Sequence, residues 1–412
     1  MVDSKRSISL ETKTGRPEDE LLLLCARVSR HSEEADRISA LLQQGEIDWE
    51  YLFTMAGEHR MIPLLYWHLG ATASAAVPKT ALGRLRDYFH YNNLRNLSLT
   101  GELLKLLRVF DAHGVPTVPY KGPTLAALAY GNLALREFND LDILVHEQDI
   151  PRARRLLVSM GYRQEDRLAR AQEAAFLKSQ REYVFVYDGS GSVVELHWAI
   201  MPRIYSFPLD PERLWERLEQ TSLGGSTVPT FSPEDLLLIL CVHGSKHFWH
   251  RLAWICDVAE LIRVHETIDW EQLIDRASTL GSERMLFLGL FLANDLLGAA
   301  LPKTVSHKTQ ADPAVRVLAE QVKEWLFQEV KGFTGTLAED PFNESGFHPF
   351  RVKMRERLRD KIRYCAHTAL VPTIEDWRFL PLPGLLSPLY YVLRPIRLAG
   401  RYGPRVLKQV FR

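Results

Sequence analysis

Two aspartates separated by one leucine begin an aliphatic run, at Asp140, Asp142 and the residues up to Val145. A run of this length and composition predicts a short buried strand. Side chains alternate across a strand, so Asp140 and Asp142 lie on the same face. Two carboxylates held together repel each other unless a cation lies between them. Hard divalent ions such as Mg²⁺ accept such a pair of ligands and also bind phosphates, so the pattern predicts a metal site for nucleotide chemistry.

Glu195 is the candidate third carboxylate, on a second predicted strand. Its aliphatic neighbours share one face of that strand, so Glu195 and His197 share the other. Three convergent carboxylates can hold one or two Mg²⁺ ions, with Mn²⁺ as the substitute, against a triphosphate. The predicted catalytic and metal-binding residues are therefore Asp140, Asp142 and Glu195. For His197 we prefer a packing role, and a place in the cleft is the alternative.

Candidate phosphate ligands precede the two aspartates in the chain. Gly122 lies in a predicted turn over residues 121–124, where the absence of a side chain lets the backbone approach phosphate closely. Lys121 and Arg136 are natural counter-ions of phosphate. For both cations a structural ion pair is the open alternative, with Glu137 or Asp140 as the partner of Arg136.

His243 and His247 are four residues apart on a predicted helix, a spacing that places both on one face. The spacing would suit zinc, but Gly244 stands where a His-Glu-x-x-His motif has its glutamate. One interpretation is that this face, with Lys246, lines the nucleotide or acceptor cleft. The other is structural pairing of the histidines, for instance with Asp257.

The apolar spacing predicts helices before these motifs, strands around them and an almost wholly helical chain beyond Pro208. Helices are predicted over residues 20–70, 80–112, 125–130, 151–160, 233–248, 252–265, 270–279, 282–297 and 313–331. Asp149 is the predicted cap of the helix over 151–160. Strands are predicted over residues 115–120, 140–145, 183–187 and 193–198, the last two joined by a glycine-containing hairpin.

The composition is that of an ordinary globular protein, with 46% hydrophobic and 25% charged residues among 412. The 51 basic and 51 acidic residues cancel, which disfavours a nucleic acid as partner. Four scattered cysteines without Cys-x-x-Cys spacing argue against a zinc knuckle and indicate a reduced compartment. No apolar run approaches the roughly 18 residues of a membrane span. We therefore predict a cytoplasmic protein without a transmembrane segment.

The charge is uneven along the chain. Residues 351–412 contain eleven Arg and three Lys against two Glu and two Asp, a net charge of +10 that the remainder must balance. The preferred interpretation is that this basic segment docks on its own acidic chain. Peripheral contact with an anionic membrane surface and contact with an acidic partner are the alternatives.

Motifs along most of the chain, from about residue 50 to 403, carry a resemblance to a known family. They are Tyr120-Lys-Gly-Pro, Arg136-x-x-x-Asp140-Leu-Asp142-Ile-Leu-Val145, Gly161-Tyr162, Val194-Glu-Leu-His-Trp198, His243-Gly-Ser-Lys-His247, Arg251-Leu-Ala-Trp254-Ile-Cys-Asp257, Pro372-Thr-x-Glu-Asp-Trp377 and Leu393-Arg-Pro-Ile-Arg-Leu398. With them the chain resembles the uncharacterised nucleotidyltransferase family of the polymerase-β-like nucleotidyltransferase superfamily.

The resemblance implies an α+β fold, in which a polymerase-β-like core of a small mixed sheet with helices is embedded between mainly helical regions. The division that we expect is a disordered segment, a helical region, the nucleotidyltransferase core, a helical domain and a basic segment that packs back on the body. In the same order these are residues 1–19, 20–100, 101–207, 208–340 and 341–412.

The resemblance also implies a reaction, in which an acceptor hydroxyl attacks the α-phosphorus of a nucleoside triphosphate and pyrophosphate leaves. The superfamily ends its first strand with Gly-Ser or Gly-Gly; Gly122 matches, Pro123 replaces the small polar residue, and Thr124 is the expected substitute. Glu195 stands where the superfamily favours Asp. The small-molecule or protein acceptor is unidentified. A catalytically weakened binding or scaffolding protein, and a regulatory partner that modifies a protein hydroxyl, are the alternatives.

Overall fold

Helices precede the sheet in the computed structural model, which describes residues 15–72, 75–165, 180–201, 209, 211–328, 348–372, 376, 379–380, 382 and 384–398. They are α1 (Pro17–Cys25), α2 (Ser32–Gln44), α3 (Trp49–Glu58), α4 (Ile62–Thr72) and α5 (Lys79–Ala112). Helix α1 begins at Pro17 and buries Glu18 and Asp19, so helical structure begins before the predicted boundary after residue 19. Residues 1–14 of the predicted disordered segment lie outside the described residues.

A five-stranded sheet follows, with the strand order β1-β2-β5-β4-β3. Its strands are β1 (Thr117–Pro119), β2 (Asp140–Val145), β3 (Tyr162–Gln164), β4 (Glu182–Tyr187) and β5 (Val193–His197). Strands β2 and β5 are parallel and the other neighbours are antiparallel, so the sheet is mixed. The predicted α+β class, with a small mixed sheet between helical regions, is confirmed. The predicted hairpin between β4 and β5 is also confirmed.

Two helices lie between strands of the sheet in the sequence and pack against it, α6 (Gly122–Tyr130) and α7 (Ile150–Ser159). Helix α6 begins earlier than predicted, because Pro at the first helical positions has the right φ and no N–H to satisfy. The predicted turn over residues 121–124 is therefore wrong beyond Lys121. Asp149 precedes α7, but its side chain accepts no capping hydrogen bond, contrary to the prediction.

The chain beyond the sheet is mainly helical, with one hairpin that the sequence analysis missed. Its elements are α8 (Pro211–Trp215), β6 (Glu219–Leu223), β7 (Ser226–Thr230), α9 (Pro233–Lys246), α10 (Leu252–Val264), α11 (Trp270–Leu280), α12 (Glu283–Leu297), α13 (Lys303–Ala311) and α14 (Pro313–Leu326). Gly224 and Gly225, both with positive φ, form the turn of the missed hairpin. Helix α13 was not predicted because few of its side chains are apolar. Helix α14 ends at Leu326, short of the predicted residue 331, and residues 329–347 lie outside the described chain.

Part of the basic segment contacts the helical body. It contains α15 (Pro349–Lys353), α16 (Leu358–Leu370) and a further helical stretch over residues 390–398. Arg351 lies over the ring of Phe248 and donates to the carbonyl of Lys246. Residues 399–412 are not among those described. None of the helices that the structure describes combines the length and apolar character that a membrane crossing requires.

Candidate active site

The parallel pairing of β2 with β5 brings the predicted carboxylates together. Asp142 is opposite Glu195 in the register, and Leu144 is opposite His197. Because side chains alternate along each strand, Asp140, Asp142, Glu195 and His197 project from one face of the sheet. All three predicted carboxylates line a cleft of about 380 Å³ between this face and the helical region.

His197 lies at the centre of the carboxylates and also packs edge-on against the ring of Tyr120, with the ring centroids 5.5 Å apart. Its Nε2 is 3.2 Å from Asp142 Oδ1 and 3.3 Å from Glu195 Oε2, and its Nδ1 is 3.0 Å from Glu182 Oε2. Burial opposes the charged imidazolium, but the charge of Glu182 and the hydrogen bonds to the carboxylates outweigh burial. They raise the pKa of His197 to about 10. His197 is therefore a buried cation among acids in addition to the packing role that the sequence interpretation preferred.

Lys121 is the second cation on the same aspartate. Its Nζ is 2.5 Å from Asp142 Oδ1, and the Asp142 side chain is only 1% exposed. Burial disfavours the carboxylate, but the charge of Lys121 and the contacts with His197 hold the pKa of Asp142 well below its usual range. Burial and the nearby charge of Asp142 instead raise the pKa of Asp140. The two aspartates therefore differ in electrostatic environment although they share one strand face.

Asp142 and Glu195 could hold a divalent cation, and His197 could join them only as a neutral imidazole. Ligand atoms of Asp142, Glu195 and His197 all lie within 4.8 Å of one another. Asp142 Oδ2 is buried and has no hydrogen-bond partner among the described residues, and a bound cation would satisfy it. Carboxylate oxygens are the ligands that Mg²⁺ and Mn²⁺ prefer, so Asp142 and Glu195 fit the metal that the sequence predicts. Asp140 lines the same cleft but lies outside this tightest group.

Gly122 brings the start of α6 close to the aspartate strand. Its φ is +51°, and a Cβ added there would lie 3.0 Å from the backbone oxygen of Asp140. Lys121 and Gly122 both line the cleft. Thr124, in the first turn of α6, is fully buried and absent from the cleft lining, so its hydroxyl does not face a phosphate site. The expected substitution of Thr124 for the superfamily serine is therefore not supported by this arrangement.

Arg136 lines the cleft while its guanidinium forms an ion pair with Asp257 of the helical region. Its Nε and Nη2 donate to the two carboxylate oxygens of Asp257 at 2.7 and 2.9 Å, and Tyr130 donates to the same group at 2.8 Å. Burial opposes its charge, but Asp257 outweighs burial and raises the pKa of Arg136. The structural partner is thus Asp257 and not Glu137 or Asp140. Arg136 Nη1 has no hydrogen-bond partner within the described chain, and the residue lines the cleft.

Helices α9 and α10 supply the wall opposite the carboxylates. His243, Lys246 and His247 line the cleft, and Asp257 pairs with Arg136. The rings of His243 and His247 are 4.6 Å apart, and His247 lies 5.1 Å from Trp254. Burial, with the nearby charge of Lys121, holds the pKa of His243 well below its usual range. The imidazole of His243 is therefore neutral near pH 7.

Further cleft residues were missed by the sequence analysis. They are Arg60, Phe138, Arg181, Glu182, His250, Arg251 and Trp254. Trp254 was missed because an isolated tryptophan in a helical pattern usually indicates core packing. Arg60 could have been suspected only from the structure, which gives it the positive φ of +56° that non-glycine residues rarely adopt.

Basic side chains outnumber acidic ones around the cleft. Among the described residues that line it, six are Arg or Lys and four are Asp or Glu. The acids cluster on the strands, whereas Arg60 and Arg251 come from the helical side. This arrangement suits a polyanion whose phosphates contact the cations while a divalent ion lies at the carboxylates.

The sequence profile of a family described as "Uncharacterised nucleotidyltransferase" matches residues 45–298, a range that contains the sheet and every residue of the cleft wall. None of the curated proteins matches the chain. A solved structure, "Crystal structure of an antigenic nucleotidyltransferase-like protein from Paracoccidioides brasiliensis", matches at 16% identity with a TM-score of 0.31. The match covers 52% of this chain and 96% of that one. At this TM-score the likeness supports no conclusion about the cleft.

Proposed function

Because the chain belongs to the uncharacterised nucleotidyltransferase family, we propose that it moves a nucleoside monophosphate from a nucleoside triphosphate to a hydroxyl acceptor. The observation that supports this proposal most is the register of β2 and β5. It places Asp142 beside Glu195, in a cleft that also holds Asp140, Lys121 and basic residues of the helical side.

Asp140, Asp142 and Glu195 would hold Mg²⁺, or Mn²⁺ in its place. When bound, the ion would supply positive charge to the phosphates and lower the pKa of the acceptor hydroxyl. Asp142 is ionised for this task, because Lys121 and His197 hold its pKa low. His197 acts as a positioning residue, since it contacts the carboxylates of both Asp142 and Glu195.

The phosphates would contact the basic side of the cleft. The acceptor oxygen forms a bond to the α-phosphorus. The bond between the α-phosphorus and the oxygen that bridges it to the β-phosphorus breaks, and pyrophosphate leaves with that oxygen and its negative charge. Lys121 and the Nη1 of Arg136 would bind phosphate oxygens, and Gly122 lets the backbone come close to them. The hydroxyl proton passes to a carboxylate of the cleft.

The experiment uses each α-labelled nucleoside triphosphate with Mg²⁺ or Mn²⁺ and a cell extract. Wild type should label a product, and the Asp140→Asn/Asp142→Asn double variant should not. Asp188→Asn is the matched control, since Asp188 lies on the hairpin of the same sheet and is 67% exposed. Absence of a labelled product, together with absence of metal-dependent nucleotide binding, would contradict the proposed enzymatic activity. Label on a protein band would favour the protein-modifying regulatory role over a small-molecule acceptor.

A second candidate is a catalytically weakened binding or scaffolding protein. One observation favours it: Lys121 and His197 already neutralise Asp142 without a metal. Nucleotide binding by wild type without any transfer, in the same assay, would support this candidate.

A further inference from the structure

Exposed apolar side chains are concentrated near the C-terminal end of the described chain. Among described residues, sixteen large hydrophobic side chains are exposed, and ten of them lie between residues 358 and 396. Scattered exposed apolar residues are normal on a protein surface, but a concentration of this kind marks a surface that something covers.

Helix α16 has an inverted arrangement of polar and apolar side chains. Asp360, Tyr364 and Thr368 form its buried stripe, whereas Leu358 is 71% and Ile362 is 60% exposed. Leu358 and Ile362 are four residues apart and therefore share one face of the helix. A helix that faces water normally does the opposite, burying its aliphatic side chains.

The helical stretch over residues 390–398 shows the same arrangement. Val392 and Ile396 are 60% and 64% exposed and are also four residues apart, while Arg394 is buried. Arg394 donates its Nε hydrogen to the Thr368 carbonyl on the buried side of α16, at 2.9 Å. The two helices are therefore joined by their inner sides, and both present aliphatic side chains outward.

Exposed arginines flank the aliphatic side chains. Arg359 is 73% exposed, although its Nε lies 3.6 Å from Asp360, and Arg363 is exposed as well. We name Leu358, Arg359, Ile362, Arg363, Val392 and Ile396 the apolar–basic face. The segment that carries it, residues 351–412, has a net charge of +10 in sequence, although Arg351, Arg355 and Arg394 are buried and do not contribute to this surface.

Exposed aliphatic side chains beside exposed arginines favour one kind of partner. A nucleic acid would match the charge but would leave the aliphatic side chains without an apolar contact, and an acidic protein would match both only with an apolar patch of its own. A second copy of the chain would bring arginines against arginines, which costs free energy. An amphipathic helix with aliphatic and basic residues on its outer side is the pattern of proteins that lie on anionic lipid.

We infer that the apolar–basic face binds the surface of an anionic lipid membrane. The aliphatic side chains enter the boundary between headgroups and acyl chains, and Arg359 and Arg363 contact lipid phosphates. The contact is peripheral and reversible, and it is independent of the nucleotide chemistry proposed for the cleft.

The test is co-sedimentation of the full chain with phosphatidylcholine vesicles, with and without phosphatidylglycerol. The protein should bind the anionic vesicles, not the neutral ones, and added NaCl should weaken binding. Leu358→Ser/Ile362→Ser should lower the affinity at least about 10-fold. Arg359→Gln/Arg363→Gln should lower it roughly 30-fold, the combined contribution of two basic residues near the membrane.

Val264→Ser/Val317→Ser is the matched control, because both valines are about half exposed on other helices. The vesicle affinity of this variant should equal that of wild type. Absence of wild-type binding to anionic vesicles would overturn the inference, and so would equal binding by Leu358→Ser/Ile362→Ser. A dimer or a nucleic-acid complex that this variant abolishes, without lipid binding, would also overturn it. If the double variant unfolds at a lower temperature than wild type, the single variants Leu358→Ser and Ile362→Ser are tested instead. Each should lose part of the vesicle affinity that the double variant loses.

Discussion

At the residue scale, the candidate site is a group of acids whose charge is already partly balanced. Asp142 contacts both Lys121 and His197, and His197 also contacts Glu182 and Glu195. The strand alternation predicted that Glu195 and His197 share a face, but the ion pairs depend on the pairing of strands distant in sequence. Glu182 was missed for that reason, since it lies on the neighbouring strand β4 opposite His197.

Glu195 offers a test of charge against side-chain length. Glu195→Gln removes the charge that would bind the metal, so transfer should fall by more than about 100-fold, beyond the loss typical of residues that only support a ligand. Glu195→Asp keeps the carboxylate and should retain activity within about 10-fold. The measurement is the initial rate of nucleotidyl transfer at saturating triphosphate. Equal rates for Glu195→Gln and Glu195→Asp would remove Glu195 from the metal site.

Gly122 offers a test of backbone conformation. Gly122→Ala combines the strain of a positive φ with a Cβ 3.0 Å from the Asp140 carbonyl, whereas Gly131→Ala has the positive φ alone and open space. We expect Gly131→Ala to lower the free energy of unfolding by about 1 kcal/mol and Gly122→Ala by about 2 to 3 kcal/mol. Urea denaturation measures both values. Equal losses would show that the close approach of α6 to β2 carries no constraint.

At the element scale, local patterns predicted β2, the β4–β5 hairpin and most helices, because each has an apolar periodicity of its own. The hairpin β6–β7 was missed since its strands carry mostly polar, partly exposed side chains, although Gly224-Gly225 was a turn signal. The parallel pairing of β2 with β5 and the ion pair of Arg136 with Asp257, 121 residues away, are tertiary contacts. No local pattern encodes them.

His59 connects three elements next to the cleft. Its Nδ1 accepts from the Leu252 N–H at the start of α10, and its Nε2 donates to the Leu326 carbonyl at the end of α14. Burial lowers the pKa of His59 to about 4, so the folded protein keeps this imidazole neutral in one tautomer. Arg60 and Arg251, on either side of this contact, are thereby held at the cleft.

The pH dependence of stability should report this contact. The unfolded chain gains a proton on His59 as the pH falls through 6.5, whereas the folded chain does so only near 4. Stability is therefore lost between these values, by up to about 3 kcal/mol from this group. His59→Gln keeps both hydrogen bonds but cannot titrate, so its urea midpoint should fall less than that of wild type between pH 7 and pH 4. His31→Gln, at an exposed position, should show the same pH dependence of the urea midpoint as wild type. The same pH dependence in His59→Gln would contradict the role of His59 in this loss of stability.

Gly244 lies in the last turn of α9 and packs against the sharp turn before α10. A Cβ there would lie 2.5 Å from the ring of Trp249, which is fully buried and has a φ of +55°. Gly244→Ala should lower the free energy of unfolding by about 2 kcal/mol or more and reduce transfer, because the turn carries cleft residues. Gly101→Ala, at an open position in α5, should instead be neutral or stabilise by up to about 1 kcal/mol. Thermal and urea unfolding of the two variants would separate them, and similar stabilities would contradict the packing argument.

At the scale of the whole molecule, a net charge of zero conceals two basic surfaces. One is the helical side of the cleft, where Arg60, Lys246 and Arg251 face the carboxylates of the sheet. The other is the apolar–basic face, more than one hundred residues further along the chain. The uneven charge of residues 351–412 indicated a basic segment, whose preferred interpretation was docking on its own chain, with membrane contact as an alternative. The first surface is assembled by the fold from residues far apart in the chain.

In the cleft, the acids lie on the sheet, and three of the six cations, Arg60, Lys246 and Arg251, come from the helical regions. The cleft therefore exists only when the two regions are packed together, and the ion pair of Arg136 with Asp257 crosses that boundary. A triphosphate would bind both sides at once. Nucleotide binding should accordingly raise the unfolding temperature of the entire chain, in proportion to the logarithm of its concentration.

The most direct test of the central claim is equilibrium Mn²⁺ binding, measured by electron paramagnetic resonance, with a non-hydrolysable nucleoside triphosphate present. Wild type and Asp188→Asn should bind Mn²⁺ in a nucleotide-dependent manner, and Asp142→Asn should lose at least about 100-fold in affinity, because it removes a metal ligand. Equal Mn²⁺ affinity for Asp142→Asn and wild type would contradict a metal site at Asp142 and Glu195.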